Sequence, residues 1–119
     1  WDVKQGWGGL VDVEFLVQHA VLRHAPAQPA VAAHPDVWRQ LDALAVTGCW
    51  PAAQATRLLD IQRQYRAWRH RAVLAGKAPL APATAFAAER EWVTALWHNT
   101  FGEAVHPAAA AAIPASLPP

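Results

Sequence analysis

The 119-residue chain carries ten Lys and Arg against nine Asp and Glu, a formal net charge of +1, so no global field draws it to nucleic acid or to an anionic membrane. Its 54% hydrophobic content is rich in alanine, which favours helix and buries little area, and seven tryptophans supply most of the aromatic bulk of what is expected to be one domain with a real core. The single cysteine, Cys49, excludes an internal disulfide and fits a reducing cytoplasm; no apolar run approaches the roughly 20 residues that span a bilayer, and no charged-then-apolar leader is present.

Trp1 and Val3 alternate with Asp2 and Lys4, the period of two of a strand. No second strand pattern follows, so Trp1–Gln5 is expected to lack a partner in this chain and to come from a sheet lying upstream. The absence of methionine, position 1 included, carries the same expectation of a processed product or a piece of something larger. Gly6, Gly8 and Gly9 then force a turn. A glycine turn that opens a helix can leave N–H groups unpaired and convergent, the geometry that holds a phosphate. It can equally be a tight lead-in, with Asp12 and Glu14 placed in the first turn to complement the helix dipole. The first helix is predicted over Leu10–His24. It is apolar around most of its circumference, with a polar stripe near Asp12, His19 and Arg23, and is therefore expected to lie centrally.

The second helix is predicted from Pro35 to Gly48, a good first-turn residue and a good stop, with Val37, Trp38, Leu41, Leu44 and Ala45 on one face. The third runs from Pro51 to about Ala75 and is closed by Gly76, with a stripe of Ala55, Leu58, Leu59, Gln62, Tyr65, Ala72 and Val73. A loop with Pro79 and Pro82 leads to the last helix, from about Thr84 to Val105. Phe86, Val93, Leu96, Trp97 and Thr100 share its apolar face, and Glu89, Arg90 and Glu91 are available to solvent or a partner. The Ala- and Pro-rich stretch 106–119 has no face to bury and is expected to be a disordered tail at the natural C-terminus of a parent chain. The expected fold is all-α: an irregular antiparallel four-helix bundle over 10–105, behind a strand-like segment and glycine turn over 1–9.

No complete catalytic or metal site is legible in these residues. His19 and His24 diverge by about 140° around their helix, and His70 sits between Arg69 and Arg71, which repel a cation. The only serine is Ser116, in the tail, and Cys49 has no obvious basic partner. Asp12 and Glu14 point about 200° apart on a helix, so one is expected to cap or pair locally while the other faces a neighbouring domain. The third helix concentrates Arg57, Arg63, Arg66, Arg69 and Arg71 beside Tyr65 and Trp68. Arginine with aromatics can bind nucleic acid or phosphate, but Asp60 and the acids of the last helix favour a solvated, salt-bridged face.

The run Asp2-Val3-Lys4, then Gly8-Gly9-Leu10-Val11-Asp12-Val13-Glu14-Phe15-Leu16-Val17-Gln18, resembles the signature of glutamate–ammonia-ligase (glutamine synthetase) adenylyltransferases. Val21-Leu22-Arg23-His24, Leu41-Asp42-Ala43-Leu44-Ala45, the stretch Tyr65 to Arg71 and Ala88-Glu89-Arg90-Glu91-Trp92-Val93 are similar to later parts of the same family, so the likeness spans roughly residues 1 to 105. The related PII uridylyltransferase shares the Gly-Gly-Leu-x-Asp turn but usually lacks the acid-Phe pair, here Glu14-Phe15. The resemblance implies two nucleotidyltransferase halves in a parent enzyme, each a sheet domain followed by a helical bundle. One half transfers AMP from ATP to a tyrosine of glutamine synthetase and the other removes it, under control of glutamine and a PII-type signalling protein. This chain resembles the bundle of the C-terminal, adenylylating half.

The family's catalytic Gly-Ser with an Asp-x-Asp magnesium pair does not occur here, so the chain alone is expected to be inactive, with ATP and magnesium bound by the parent enzyme. Lys4, Gly8, Gly9, Asp12 and Glu14 are expected to line the nucleotide side of a cleft that an upstream domain completes. The loop Ala25–His34 and the extra arginines of the third helix depart from the family, so no partner residues carry over. The alternative is a non-catalytic helical module that relays PII-type regulator binding.

Overall fold

The computed structural model describes residues 1–102 and is all-α. Helix α1 spans Leu10–His24, α2 Val37–Val46, α3 Ala52–Leu74 and α4 Ala87–Phe101, with a 3-10 turn at Pro29–Ala32 between the first two. Helix α1 packs against all three other helices, and α2 also lies along α3, so the layers radiate from α1 as its apolar circumference implied. Helix α4 joins the unit mainly through α1. The core is built from Leu10, Val13, Leu16, Val17 and Ala20 of α1, Leu41 and Leu44 of α2, Leu58, Ile61 and Tyr65 of α3, and Val93 and Trp97 of α4. The predicted tail at 106–119 lies outside the described residues.

The N-terminal segment is not partnerless. The Trp1 amino group donates to the Ala81 carbonyl at 2.8 Å, Ala81 N–H returns a bond to the Trp1 carbonyl at 2.8 Å, and Val3 N–H donates to the Pro79 carbonyl at 2.8 Å. Pro79 and Pro82 disfavour helix in this stretch and leave its carbonyls open for pairing. The result is one isolated antiparallel bridge, Asp2 to Leu80, rather than a strand of a sheet.

Helix boundaries follow the proline and glycine punctuation where packing does not interfere. Helix α3 starts directly after Pro51 and stops two residues before Gly76 (φ +68°), within one residue of expectation at each end. Helix α2 starts at Val37 rather than Pro35, because Asp36 takes the extended conformation of an N-cap; its carboxylate pairs with Arg39 at 3.4 Å. Helix α4 starts three residues later than Thr84 and ends at Phe101, before Gly102 (φ +67°); residues 103–105 of its predicted span are not among those described. The late start has a visible cause. Phe86 sits in the left-handed region (φ +55°), which a non-glycine residue enters at a cost of roughly 1–2 kcal/mol. Its ring is held edge-on against Tyr65 (5.3 Å), Trp68 (6.2 Å) and Trp1 (6.3 Å). Burial of that ring offsets the backbone strain.

Two apolar residues of α1 lie outside the core. Leu22 is 71% exposed, and Phe15, 53% exposed, rests on Trp97 and Phe101 of α4 at 5.4 and 5.5 Å. Asp12, expected on a polar stripe, is instead buried at 2% exposure.

Candidate functional site

The glycine turn is built by close approach. Gly8 has φ +72°, and a Cβ on it would lie 2.7 Å from the carbonyl oxygen of Arg90, so the turn sits directly on the backbone of α4. A Cβ on Gly9 would meet the Val3 carbonyl oxygen at 2.7 Å. Both positions exclude a side chain for steric reasons, independent of any ligand.

The donors of the turn are spent within the chain. Leu10 N–H, the first of α1, donates to the Val3 carbonyl at 2.8 Å, Val11 N–H to the Lys4 carbonyl at 2.9 Å, and Gly9 N–H to the Gly6 carbonyl at 2.9 Å. Gly8 N–H donates to Oδ2 of the buried Asp12 at 2.7 Å. Asp2 Oδ1 accepts from the N–H groups of Lys4 and Gln5 at 2.9 and 3.0 Å. The opening residues therefore fold back and satisfy the orphan groups of the helix start. That is the geometry of a tight lead-in, and these donors are not presented to an anion.

The five expected site residues divide into two groups. Gly8, Gly9 and Asp12 are buried and hold the turn; Lys4 is half-buried and Glu14 exposed. Asp12 caps locally while Glu14 faces outward, the divergence that their helical spacing required. Among the described residues no three His, Cys, Asp or Glu side chains converge to hold a metal ion. With Asp12 Oδ2 engaged by Gly8 and Glu14 pointing away, the turn does not fit a magnesium site.

Sequence reading missed the seam that fastens this turn to the rest of the fold. The Arg90 guanidinium lies 4.3 Å from the ring centre of Trp1, and its Nη1 donates to the Ala83 carbonyl at 2.7 Å. Arg90 is thus engaged within the chain while remaining half-buried. Trp1 stacks edge-on to Tyr65 at 5.5 Å. The Tyr65 hydroxyl is buried with no hydrogen-bond partner among the described residues. Burial above all, with the charges of Glu89 and Asp12, holds its pKa far above the ordinary phenol value, so it stays neutral. No periodicity links positions 1, 65, 86 and 90, and nothing in the sequence signals their meeting. Beside the turn, Trp7, Arg90, Glu91, Thr94 and His98 line a shallow groove of about 470 Å³.

The arginine helix departs from expectation in one respect. Arg57 pairs with Asp60 at 3.8 Å, but Arg63, Arg66 and Arg69 have no acid within 4 Å among the described residues. No described helix is long and apolar enough to cross a membrane.

Comparison with known proteins gives a consistent assignment. The family model described as GlnD PII-uridylyltransferase matches residues 1–78. The chain is 38% identical over 103 residues to the bifunctional glutamine synthetase adenylyltransferase/adenylyl-removing enzyme of Hahella chejuensis, covering 87% of this chain and 11% of that protein. It is 39% identical over 104 residues to the enzyme of the same name from Aromatoleum aromaticum (87% and 11%) and 32% identical over 103 residues to that of Mannheimia succiniciproducens (87% and 10%). The chain spans about a tenth of the length of the curated relatives it matches. No solved structure gives a significant match.

Proposed function

From the premise that this chain belongs to the GlnD PII-uridylyltransferase family, with glutamine synthetase adenylyltransferases among its relatives, we propose that it is the helical domain following the nucleotidyltransferase unit of an adenylylating enzyme. That cytoplasmic enzyme moves AMP from ATP to a tyrosine of glutamine synthetase. The observation that carries this reading is identity at 38% over 87% of the chain with a protein of that name. The acid-Phe pair Glu14-Phe15 supports adenylyl over uridylyl transfer.

In this reading the catalytic carboxylates, magnesium and ATP belong to the neighbouring unit. Gly8, Gly9 and Asp12 shape a turn that lies beside the nucleotide, and Lys4 and Glu14 are its outward groups, placed to meet that unit. The chain's own contribution is to position, since a helix start locked by internal hydrogen bonds offers a rigid wall. Lys4→Ala and Glu14→Gln in the full-length enzyme are expected to raise the KM for ATP about tenfold, equivalent to roughly 1.4 kcal/mol, with the KM for glutamine synthetase little changed. Unaltered ATP kinetics in both variants would remove the turn from the nucleotide site.

One observation favours a second reading. Because the donors at the start of α1 are consumed internally, the domain also suits a helical module that relays binding of a PII-type regulator. A loss of regulator response with intact basal AMP transfer, in the same two variants, would select it.

A further inference from the structure

The strongest unassigned feature lies away from the glycine turn, where α2 crosses the exposed side of α3. Trp38, Leu59, Gln62, Arg63 and Arg66 line a groove of about 320 Å³. It continues at one end into a mainly apolar hollow of about 240 Å³ that adds Leu41, Ala45 and Ala55, with Asp42 and Thr56 at its edge. At its other end Arg66 opens onto a surface with Arg69 and His70. Leu59, Arg63, Arg66 and His70 follow one helical line, so the groove runs along α3 from an apolar end to a cationic one.

Three properties distinguish it from an ordinary solvated face. Trp38 is 46% exposed, with the Arg39 guanidinium 5.1 Å from its ring centre. Arg63, Arg66 and Arg69 have no acidic partner among the described residues, although Asp60 is on the same helix and engages Arg57. Most informative is Gln62. It is 4% exposed, lines the groove, and its amide makes no hydrogen bond among the described residues. The amide is not one of the fully buried groups without a partner, so the small exposed part of Gln62 opens into the groove, where its donor and acceptor can meet a ligand.

We propose that this groove docks a protein segment carrying apolar side chains followed by carboxylates. The apolar residues fill the hollow at Leu41, Ala45 and Ala55, the segment's backbone pairs with the Gln62 amide, and its carboxylates meet Arg63 and Arg66. Exposed tryptophan and arginine are enriched at interface centres, and here they flank a groove-facing amide. Nucleic acid fits less well, because the hollow at Leu41, Ala45 and Ala55 is matched by aliphatic side chains, which a nucleic acid lacks. This inference goes beyond the nucleotide-site reading and does not depend on it.

The test is a titration of the chain, followed by the indole resonance of Trp38 and the side-chain amide of Gln62. The probe is a 16-residue peptide with leucines at helical spacing in one half and glutamates in the other. Controls are the same peptide with lysine for glutamate, inorganic phosphate and an oligothymidylate. The glutamate peptide is expected to shift both resonances saturably. The doubly reversed R63E/R66E variant, altered only at exposed positions, is expected to bind at least tenfold more weakly with unchanged melting temperature. Gln62→Leu is expected to keep or raise stability while weakening binding several-fold. Equal binding of the lysine peptide, tighter binding of phosphate or oligothymidylate, or no shift up to millimolar peptide would each overturn the proposal.

Discussion

Asp12 shows how a residue's role changes once its neighbours are known. Its place in the first turn of α1 suggested a charge set against the helix dipole, but the side chain is buried and accepts the Gly8 N–H at 2.7 Å. Asp12→Ala is therefore expected to cost about 1–3 kcal/mol in denaturant unfolding, because it strands a buried donor, and Asp12→Asn less, since an acceptor remains. A cost below about 0.5 kcal/mol for the alanine variant would show that the bond contributes little. Gly8 and Gly48 form a controlled pair: both have positive φ (+72° and +75°), but only at Gly8 would a Cβ meet backbone within 4 Å. Gly48→Ala is expected to cost about 1–2 kcal/mol for the backbone conformation alone, and Gly8→Ala distinctly more. Equal costs would refute the close-approach account of the turn.

Tyr65 gives a pH test at the same scale. Its pKa is raised in the folded state, so folding is favoured by protonation: the contribution is full below the unfolded value near 10 and lost as pH rises above it. Tyr65 is the sole tyrosine, so tyrosinate absorbance reports it directly and should appear only as the chain unfolds in alkali. Tyr65→Phe is expected to leave stability at neutral pH unchanged or slightly higher, the hydroxyl having no partner among the described residues, and to flatten the alkaline loss. Tyrosinate formed while the far-ultraviolet helix signal persists would contradict this.

At the scale of elements, α2 and α3 were legible because runs with apolar periodicity are fenced by Pro35 and Gly48 and by Pro51 and Gly76, and α1 because it lies between Gly9 and Pro26. These signals act locally and so survive without tertiary information. The start of α4 was not legible. Pro82 offers a helix opening, but Phe86 is drawn into a left-handed conformation by Trp1, Tyr65 and Trp68, partners 18 or more residues away. Helix α4 is thus fastened by α1 and by the Trp1–Arg90 seam. Arg90→Ala is expected to speed amide exchange in α4 about three- to tenfold, while the interior of α3 is unaffected, in line with a cation–π contact of about 1 kcal/mol. A uniform change across all helices would mean that α4 is not a separately opening unit.

For the whole molecule, the all-α class followed from four helical runs joined by short or proline-marked loops, and the contacts of α1 with all three other helices from its wide apolar circumference. What the sequence could not convey was the return of residues 1–3 onto 79–81, since a single bridge has no periodic signature. Beside that return, the glycine turn sits against the backbone of α4 at Arg90. The function proposed above has this rigid turn complete a nucleotide site in an adenylylating enzyme. The most direct measurement is incorporation of labelled AMP into glutamine synthetase by the nucleotidyltransferase unit, with and without this chain joined to it. Incorporation is expected only with the chain present; equal incorporation without it would contradict that role and leave the turn a purely architectural device.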